Sequence, residues 1–179
     1  ANKLPKFIPN IMTAVGMIKP INALVIGAGV GGLQALATAK RLGAQVFAAD
    51  IRPDAAEQAM SLGAKIIDTG IPEEAAVGDG GYALQLSESH LENEREALAP
   101  HLGKMDIVFL SALIPGKVAP ILITEDMVKM MKPGSVIVDI SIDQGGNCEI
   151  TPPGKIEIKH HVTCIGVKNI PGKVPGRKS

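Results

Sequence analysis

Gly27, Gly29 and Gly32 stand at G-x-G-x-x-G spacing, and an acid, Asp50, follows about 20 residues on. That pattern suits the binding of a dinucleotide. The first glycine permits a tight turn, the second lets the backbone approach a pyrophosphate with no Cβ in the way, and the third lets a helix lie close on a strand. Val30 opens that helix, whose free N–H groups and positive dipole end favour phosphate. Asp50 is placed to hold the hydroxyls of an adenosine ribose, with Ile51 and Arg52 beside it. Arg52 could meet a 2′-phosphate, but the neighbouring carboxylate repels such a dianion, so the pair reads as NAD rather than NADP.

The other candidates are weaker. Tyr82, the only tyrosine, lies behind Gly80 and Gly81 in a glycine-rich loop over residues 68 to 88, and reads as part of a lid. Asp143 reads as a loop acid, with catalysis as the lesser alternative. His90, His101, His160 and His161 are scattered; the last two would splay apart if they lie on a strand. Cys148 and Cys164 form no metal-ligand spacing and read as free thiols. No metal site is expected.

The elements that must position these residues alternate in type. An aliphatic run, 23–26, leads into the glycine turn and a helix over 30–42. Residues 45–50 form the next strand, 54–62 a short helix that Asp54 and Glu57 could box, and 65–67 a third strand. After the loop, Ser89 and Glu92 have capping-box spacing for a helix of about ten residues that Pro100 ends or kinks. Residues 106–110 form a strand, 124–131 a helix capped by Thr124, 135–139 a strand, and 156–158 with 162–165 a final pair. Ala112 and Leu113 follow the 106–110 strand on the side where open α/β sheets bind ligands. The expected fold is α/β, a Rossmann-like, doubly wound, mainly parallel sheet with helices on both faces. It occupies residues 21–166. Residues 1–20, with a short helix near Asn10 to Val15, read as a lead-in from something upstream, and 167–179 as a linker or tail.

Composition narrows the class. A 46% hydrophobic content supports a sizeable core, but aromatics are only 2%, so that core must be aliphatic, as buried parallel strands are. A formal net charge of zero and so few stacking rings argue against nucleic acid as a partner. No apolar run approaches the ~20 residues of a membrane helix, so direct insertion is not expected.

Beyond the glycine fingerprint, Ile11-Met-Thr-Ala-Val-Gly16, Gly27-Ala-Gly-Val-Gly-Gly-Leu-Gln34, Asp50-Ile-Arg-Pro53, Ser61-Leu-Gly-Ala-Lys65, Gly80-Gly-Tyr-Ala83, Ala112-Leu-Ile-Pro-Gly-Lys117 and Gly145-Gly-Asn-Cys-Glu149 carry a resemblance. The chain resembles the NAD-binding part of the proton-translocating NAD(P) transhydrogenase alpha subunit, within the group shared with alanine dehydrogenase. The resemblance implies that Gly27, Gly29, Val30 and Gly32 hold the pyrophosphate and that Asp50, Ile51 and Arg52 surround the adenosine ribose. It places Gly81 and Tyr82 in a mobile loop and Ala112 and Leu113 near the nicotinamide. It implies direct hydride transfer from NAD(H) to NADP on a partner domain, with no side chain as acid or base, so alignment of the two nicotinamides does the work. The implied setting is a homodimer, peripheral to a membrane domain of the same enzyme on its cytoplasmic or matrix-like side. The family's segment that reaches the nicotinamide is expected upstream, so this chain alone should be a weak catalyst. Asp143-Gln-Gly-Gly146 and Asn169 to Pro175 lean towards alanine dehydrogenase, where an aspartate at the Asp143 position assists catalysis. An alanine-dehydrogenase-like oxidoreductase and a non-catalytic nucleotide-binding remnant are the alternatives.

Overall fold

The structure is a computed structural model that describes residues 11–13 and 16–168. Two short strands, β1 (Ile11–Thr13) and β2 (Gly16–Ile18), pair antiparallel as a separate ribbon. The strands β3 (Asn22–Ile26), β4 (Gln45–Ala49), β5 (Lys65–Ile66), β6 (Ile107–Leu110), β7 (Val136–Asp139), β8 (Ile156–Lys159) and β9 (Val162–Gly166) form one sheet. Its order is β5-β4-β3-β6-β7-β9-β8. Every pairing in it is parallel except that of the edge strand β8 with β9. The order reverses between β3 and β6, which makes the cleft outside their carboxyl ends the place where such a sheet takes a ligand.

Helices α1 (Val30–Arg41), α2 (Pro53–Ser61), α3 (Glu73–Ala76), α4 (Glu88–Leu102) and α5 (Glu125–Lys129) complete the described regular structure, with a 3-10 turn at Ile142–Gln144. The strands split their side chains between two cores, as period-2 alternation requires. Leu24, Ile26, Val108, Leu110 and Ile137 pack with Leu98 and Leu102 of α4 and Met127 and Val128 of α5. Ala23, Val25, Val46 and Ala48 pack with Leu36 of α1 and Ala55 and Ala59 of α2 on the opposite face. Small residues dominate that second core, so α1 and α2 lie close to the sheet. The expected doubly wound sheet with helices on both faces is the observed one.

Several local expectations are corrected. Of the stretch near Asn10 to Val15 where a helix is expected, the described part, Ile11–Thr13, is the strand β1 instead. Pro9 and Gly16 leave only six residues between breakers, too few to repay helix nucleation. The box of Asp54 and Glu57 is absent, because α2 starts at Pro53 with Arg52 as an N-cap whose side chain makes no capping bond to the helix. Pro53 supplies the start instead, its fixed φ and missing N–H suiting the first helical position. Helix α4 is capped by Ser87, not Ser89: the Ser87 hydroxyl accepts from the His90 N–H at 3.3 Å. It runs 15 residues and passes through Pro100, which sits in the last turn and removes a single backbone bond there. His160 and His161 lie on no strand; both have positive φ, 51° and 62°, and form the two-residue turn between β8 and β9. A tight hairpin turn of matching twist demands that conformation, and His tolerates it better than most residues. Of the expected lead-in and tail, residues 1–10, 14–15 and 169–179 lie outside the described residues.

Candidate functional site

The glycine turn is built by close contact within the chain at two of its three glycines. Gly27 has φ +88°, and a Cβ there would fall 2.6 Å from the Ala112 nitrogen. A Cβ on Gly32 would fall 1.9 Å from the Gly27 carbonyl oxygen. These two positions admit only glycine if α1 and the loop after β6 are to lie where they do. Gly29 differs: its φ is −73°, it is the N-cap of α1, and a Cβ there would meet nothing within 4 Å. Its open side belongs to a cleft of about 700 Å³ that Gly27, Gly29, Val30 and Gly31 line from the α1 side. The volume is in the range of cofactor sites.

Asp50, at the end of β4, forms the next wall. Its Oδ2 accepts from the Ala28 N–H at 2.7 Å and from Arg52 Nη2 at 2.9 Å. Its Oδ1 accepts from the Arg52 N–H at 2.8 Å and Arg52 Nε at 3.0 Å. A carboxylate offers about four acceptor positions, and all are used here. The side-chain hydrogen bond to Asp50, aided by the opposite charge and opposed by burial, holds the Arg52 guanidinium above its ordinary pKa. Asp50 therefore ties the glycine turn to β4 and neutralises Arg52. Ile51 lines the cleft beside them.

The facing wall is the loop after β6, where Ala112 and Leu113 line the cleft. Ser111 Oγ donates to the Gly27 carbonyl at 2.7 Å, joining the two walls at their base. Ala112 is held by Asn147, a residue whose role the sequence alone does not disclose. Asn147 Oδ1 accepts from the Ala112 N–H at 2.9 Å, and its Nδ2 donates to the Ala112 and Pro120 carbonyls, each at 2.9 Å. Asn147 is positioned by Asp139, fully buried at the end of β7, whose Oδ2 accepts from the Asn147 N–H at 2.7 Å and the Cys148 N–H at 3.1 Å. Asp139 Oδ1 takes the Ser141 N–H at 2.9 Å and Ser141 Oγ at 2.5 Å. A strand-ending acid followed by a Ser, two glycines and an Asn is the sequence signal for this bracket, legible only once the residues are seen to share a sheet end.

The loop over 68–88 is more ordered in shape than its composition suggests. It holds the short α3, and Val77 and Ala83 form an antiparallel bridge. Tyr82 sits on the outer bend, 62% exposed. The loop reaches the cleft through Ala83, Leu84, Gln85 and Leu86, while Gly81 and Tyr82 are not among its lining residues. Gly32, a buried residue of α1, also lies behind the lining. Asp143 is exposed on the 3-10 turn and does not line the cleft.

Several lining residues are not among those the sequence singles out, and Glu94 is the buried acid among them. Glu94 is only 4% exposed, and burial, reinforced by the charge of Asp50 and opposed by Arg95, lifts its carboxyl to about 7 from an ordinary 4.5. A signal for it exists: Leu91, Glu94, Leu98 and Leu102 fall on one stripe of α4, and an acid stands where the apolar stripe faces inward.

Among the described residues, no group of three or more His, Cys, Asp or Glu side chains could hold a metal ion. Both cysteines are free and buried, and burial pushes both thiols up, Cys164 to about 11, which leaves them protonated and unreactive.

Residues 1–179 match the family described as alanine dehydrogenase/PNT, C-terminal domain. The chain is 49% identical over 177 residues to an NAD(P) transhydrogenase subunit alpha polypeptide of Rhodospirillum rubrum, covering 97% of this chain and 46% of that polypeptide. It is 36% identical over 156 residues to the alanine dehydrogenase of Bacillus subtilis, covering 84% of this chain and 36% of the relative. Among solved structures, a transhydrogenase from Sinorhizobium meliloti superimposes with a TM-score of 0.77 at 43% identity, covering 93% of this chain and 43% of the other. The chain thus spans less than half the length of the relatives it matches.

Proposed function

The chain belongs to the alanine dehydrogenase/PNT C-terminal domain family, and from that premise we propose that it is the NAD(H)-binding module of an NAD(P) transhydrogenase. The observation that carries the reading is the contrast among the three glycines. Chain geometry alone accounts for Gly27 and Gly32. At Gly29 it does not: Ser, Asp or Asn caps a helix at least as well as Gly, the φ is ordinary, and there is room for a side chain. A group seated at the α1 N-terminus is what a side chain there would displace, and a pyrophosphate fits that place.

On this reading Gly27, Gly29, Val30 and Gly32 shape the pyrophosphate cradle. Asp50, Ile51 and Arg52 face the adenosine half, and Ala112 and Leu113, braced by Asn147, face the nicotinamide half. Gly81 and Tyr82 belong to a loop that closes over the cleft. Arg52 supports NAD over NADP, because its charge is already matched by Asp50 and a 2′-phosphate would bring a dianion beside that carboxylate. The bound nicotinamide supplies the hydride chemistry; the chain's own residues bind it, orient it and shield it from water. One fingerprint holds one dinucleotide, so the acceptor NADP belongs to a partner domain, and the residue types lining the cleft demand no acid or base from this chain. No described helix is long and apolar enough to cross a membrane; a membrane domain, a second copy of this chain, and a station on the cytoplasmic or matrix-like side are parts of the same proposal.

Calorimetric titration with NADH and NADPH tests the binding step. NADH is expected to bind more tightly, and binding of neither cofactor overturns the reading. Adding an NADP-binding partner domain should produce hydride transfer between NADH and an NADP analogue. Pyruvate-dependent oxidation of NADH without that partner would assign the chain to the alanine dehydrogenase branch instead.

A further inference from the structure

Glu94 is a costly residue for its place. It interrupts the inward stripe Leu91, Leu98, Leu102 on α4, where a leucine would add apolar burial, and it is 4% exposed. Among the described residues no hydrogen bond or ion pair takes up its carboxyl. Arg95, the next residue in sequence, opposes the shift through its charge but bonds elsewhere: its Nε donates to the Ile121 carbonyl at 2.9 Å and its Nη1 to Glu88 at 2.8 Å. The charged residues lining the cleft are Asp50, Arg52, Glu88, Glu94 and Arg95. Arg52 pairs with Asp50 and Arg95 with Glu88, so among the described residues neither basic group lining the cleft bonds to Glu94.

What the carboxyl does face is the cleft, on its Asp50 side. Ile51, Leu84, Leu86 and Leu91 line the same cleft. Apolar side chains around one inward polar group suit a flat ring with apolar faces and a hydrogen-bonding edge. A protonated carboxyl presents one donor and one acceptor side by side. Adenine presents the complement, a ring nitrogen that accepts next to an amino group that donates. A carboxylate would match only the amino group and would set its charge against the ring-nitrogen lone pair.

We propose that Glu94, in its acid form, is a specificity-determining residue for the adenine base, donating to a ring nitrogen and accepting from the amino group. This rests on the NAD(H)-binding reading above. The lifted carboxyl value of about 7 keeps the acid form available at neutral pH. It also makes adenosine binding depend on pH, since Asp50 next to Glu94 disfavours a second negative charge.

The experiment titrates the chain with NADH and with ADP-ribose from pH 6 to pH 8, for the wild type, Glu94→Gln and Glu94→Leu. Both ligands carry the adenosine half, and neither pyrophosphate changes charge in this range. Wild-type affinity should fall roughly tenfold from pH 6 to pH 8, as the acid form is lost through a midpoint of about 7. Glu94→Gln keeps a donor and an acceptor at every pH and should hold the pH 6 affinity throughout. Glu94→Leu should bind both ligands at least tenfold more weakly than wild type at pH 6, with a flat profile. Equal, pH-independent NADH binding by all three proteins overturns the role of Glu94 while leaving the cofactor reading intact. A falling wild-type profile with Glu94→Leu as tight as wild type at pH 6 also overturns it, because charge repulsion alone would then explain the fall. Failure of all three to bind NADH at either pH removes the cofactor reading itself.

Discussion

Asn147 holds the backbone of Ala112 from both sides, accepting from its N–H and donating to its carbonyl, each at 2.9 Å. The two residues are 35 apart in sequence, and this exchange fixes the loop that forms one wall of the cleft. The same amide donates to Pro120, and Asp139 holds the Asn147 N–H in turn. Asn147→Ala leaves backbone groups of Ala112 and Pro120 without partners in a half-buried site. The expected loss is about 2–3 kcal/mol, measured by urea unfolding. A loss below about 0.5 kcal/mol would show that water replaces the amide without cost, and that the bracket does not stabilise the loop.

Gly29 and Gly32 separate binding from folding. Gly32→Ala places a Cβ 1.9 Å from the Gly27 carbonyl oxygen, so α1 must move off β3. Such overpacking against backbone should cost about 3 kcal/mol or more in thermal or chemical unfolding. Gly29→Ala meets no atom of the chain and gives up only a modest N-cap preference, about 1 kcal/mol or less. Its NADH affinity should nevertheless drop by at least tenfold. If Gly29→Ala binds NADH as the wild type does, the open side of Gly29 has no ligand to accommodate.

The strand-turn-helix around Gly27 is legible in the sequence because its signals are local: an aliphatic run, a glycine spacing and a helix-forming stretch agree with one another. The sheet order follows from the same alternation carried along the chain. What stays hidden is non-local. Asn147 acquires a role only when β6 and β7 lie side by side and bring the two loops after them together. The chemical state of Asp50 is hidden for a different reason. Its position at the strand end is a matter of spacing, whereas the saturation of its oxygens by Ala28 and Arg52 depends on a rotamer. Ser87 rather than Ser89 caps α4 because two serines two residues apart offer the same chemistry, and only the chain direction into the helix chooses between them.

Asp50 and Arg52 should govern the choice between cofactors. Ribose hydroxyls reach the Asp50 oxygens only by displacing the Arg52 guanidinium, and removing the carboxylate deletes that acceptor together with the anchor of the Ala28 N–H. A charge-assisted hydrogen bond contributes about 1.5–3 kcal/mol, so Asp50→Ala should weaken NADH binding roughly 10- to 150-fold. It also frees the Arg52 guanidinium, and with the repelling carboxylate gone the ratio of NADPH to NADH affinity should rise. Calorimetry with both cofactors measures the two effects together. A variant that loses NADH and NADPH binding in equal proportion would show that Asp50 only supports the glycine turn.

Glu94 should also leave a mark on stability without any ligand. Its folded-state value of about 7 lies above its ordinary 4.5, so the folded protein binds this proton more tightly than the unfolded chain does. The stabilisation from that proton is complete below about pH 4.5 and is lost as pH rises through about 7. The full effect is on the order of 3 kcal/mol. Glu94→Gln has no such proton to lose. The stability of the variant relative to the wild type should therefore increase between pH 5 and pH 8, read from paired urea titrations at each pH. A constant difference across that interval would mean that the carboxyl titrates normally.

The final prediction concerns Tyr82. Its loop is tied at the base: Val77 bridges Ala83, the Leu84 N–H donates to the Ala76 carbonyl at 2.9 Å, and Ala76 is fully buried. Beyond that base the bend is held by two backbone bonds, Gly78 N–H to the Tyr82 carbonyl at 3.0 Å and Gly81 N–H to the Gly78 carbonyl at 3.1 Å. Gly80 and Gly81 both have positive φ, 85° and 77°, and the tip buries little apolar area, so a small free energy suffices to reshape it. Tyr82 stands outward at the tip, while its neighbours Ala83 and Leu84 already line the cleft. A short swing about the bridged base brings the phenol over the mouth, where its ring covers a bound dinucleotide and its hydroxyl can bond to it. NADH should therefore slow and shift the ring signals of this single tyrosine in NMR spectra. Tyr82→Phe keeps the covering ring and loses one neutral hydrogen bond, so affinity should fall by about 0.5–1.5 kcal/mol, roughly 2- to 12-fold. Gly81→Ala strains the positive φ without touching the cleft and should alter closure more than global stability. Tyrosine ring signals with the same linewidth and position with and without NADH would leave the loop as a fixed rim and remove Tyr82 from the binding site.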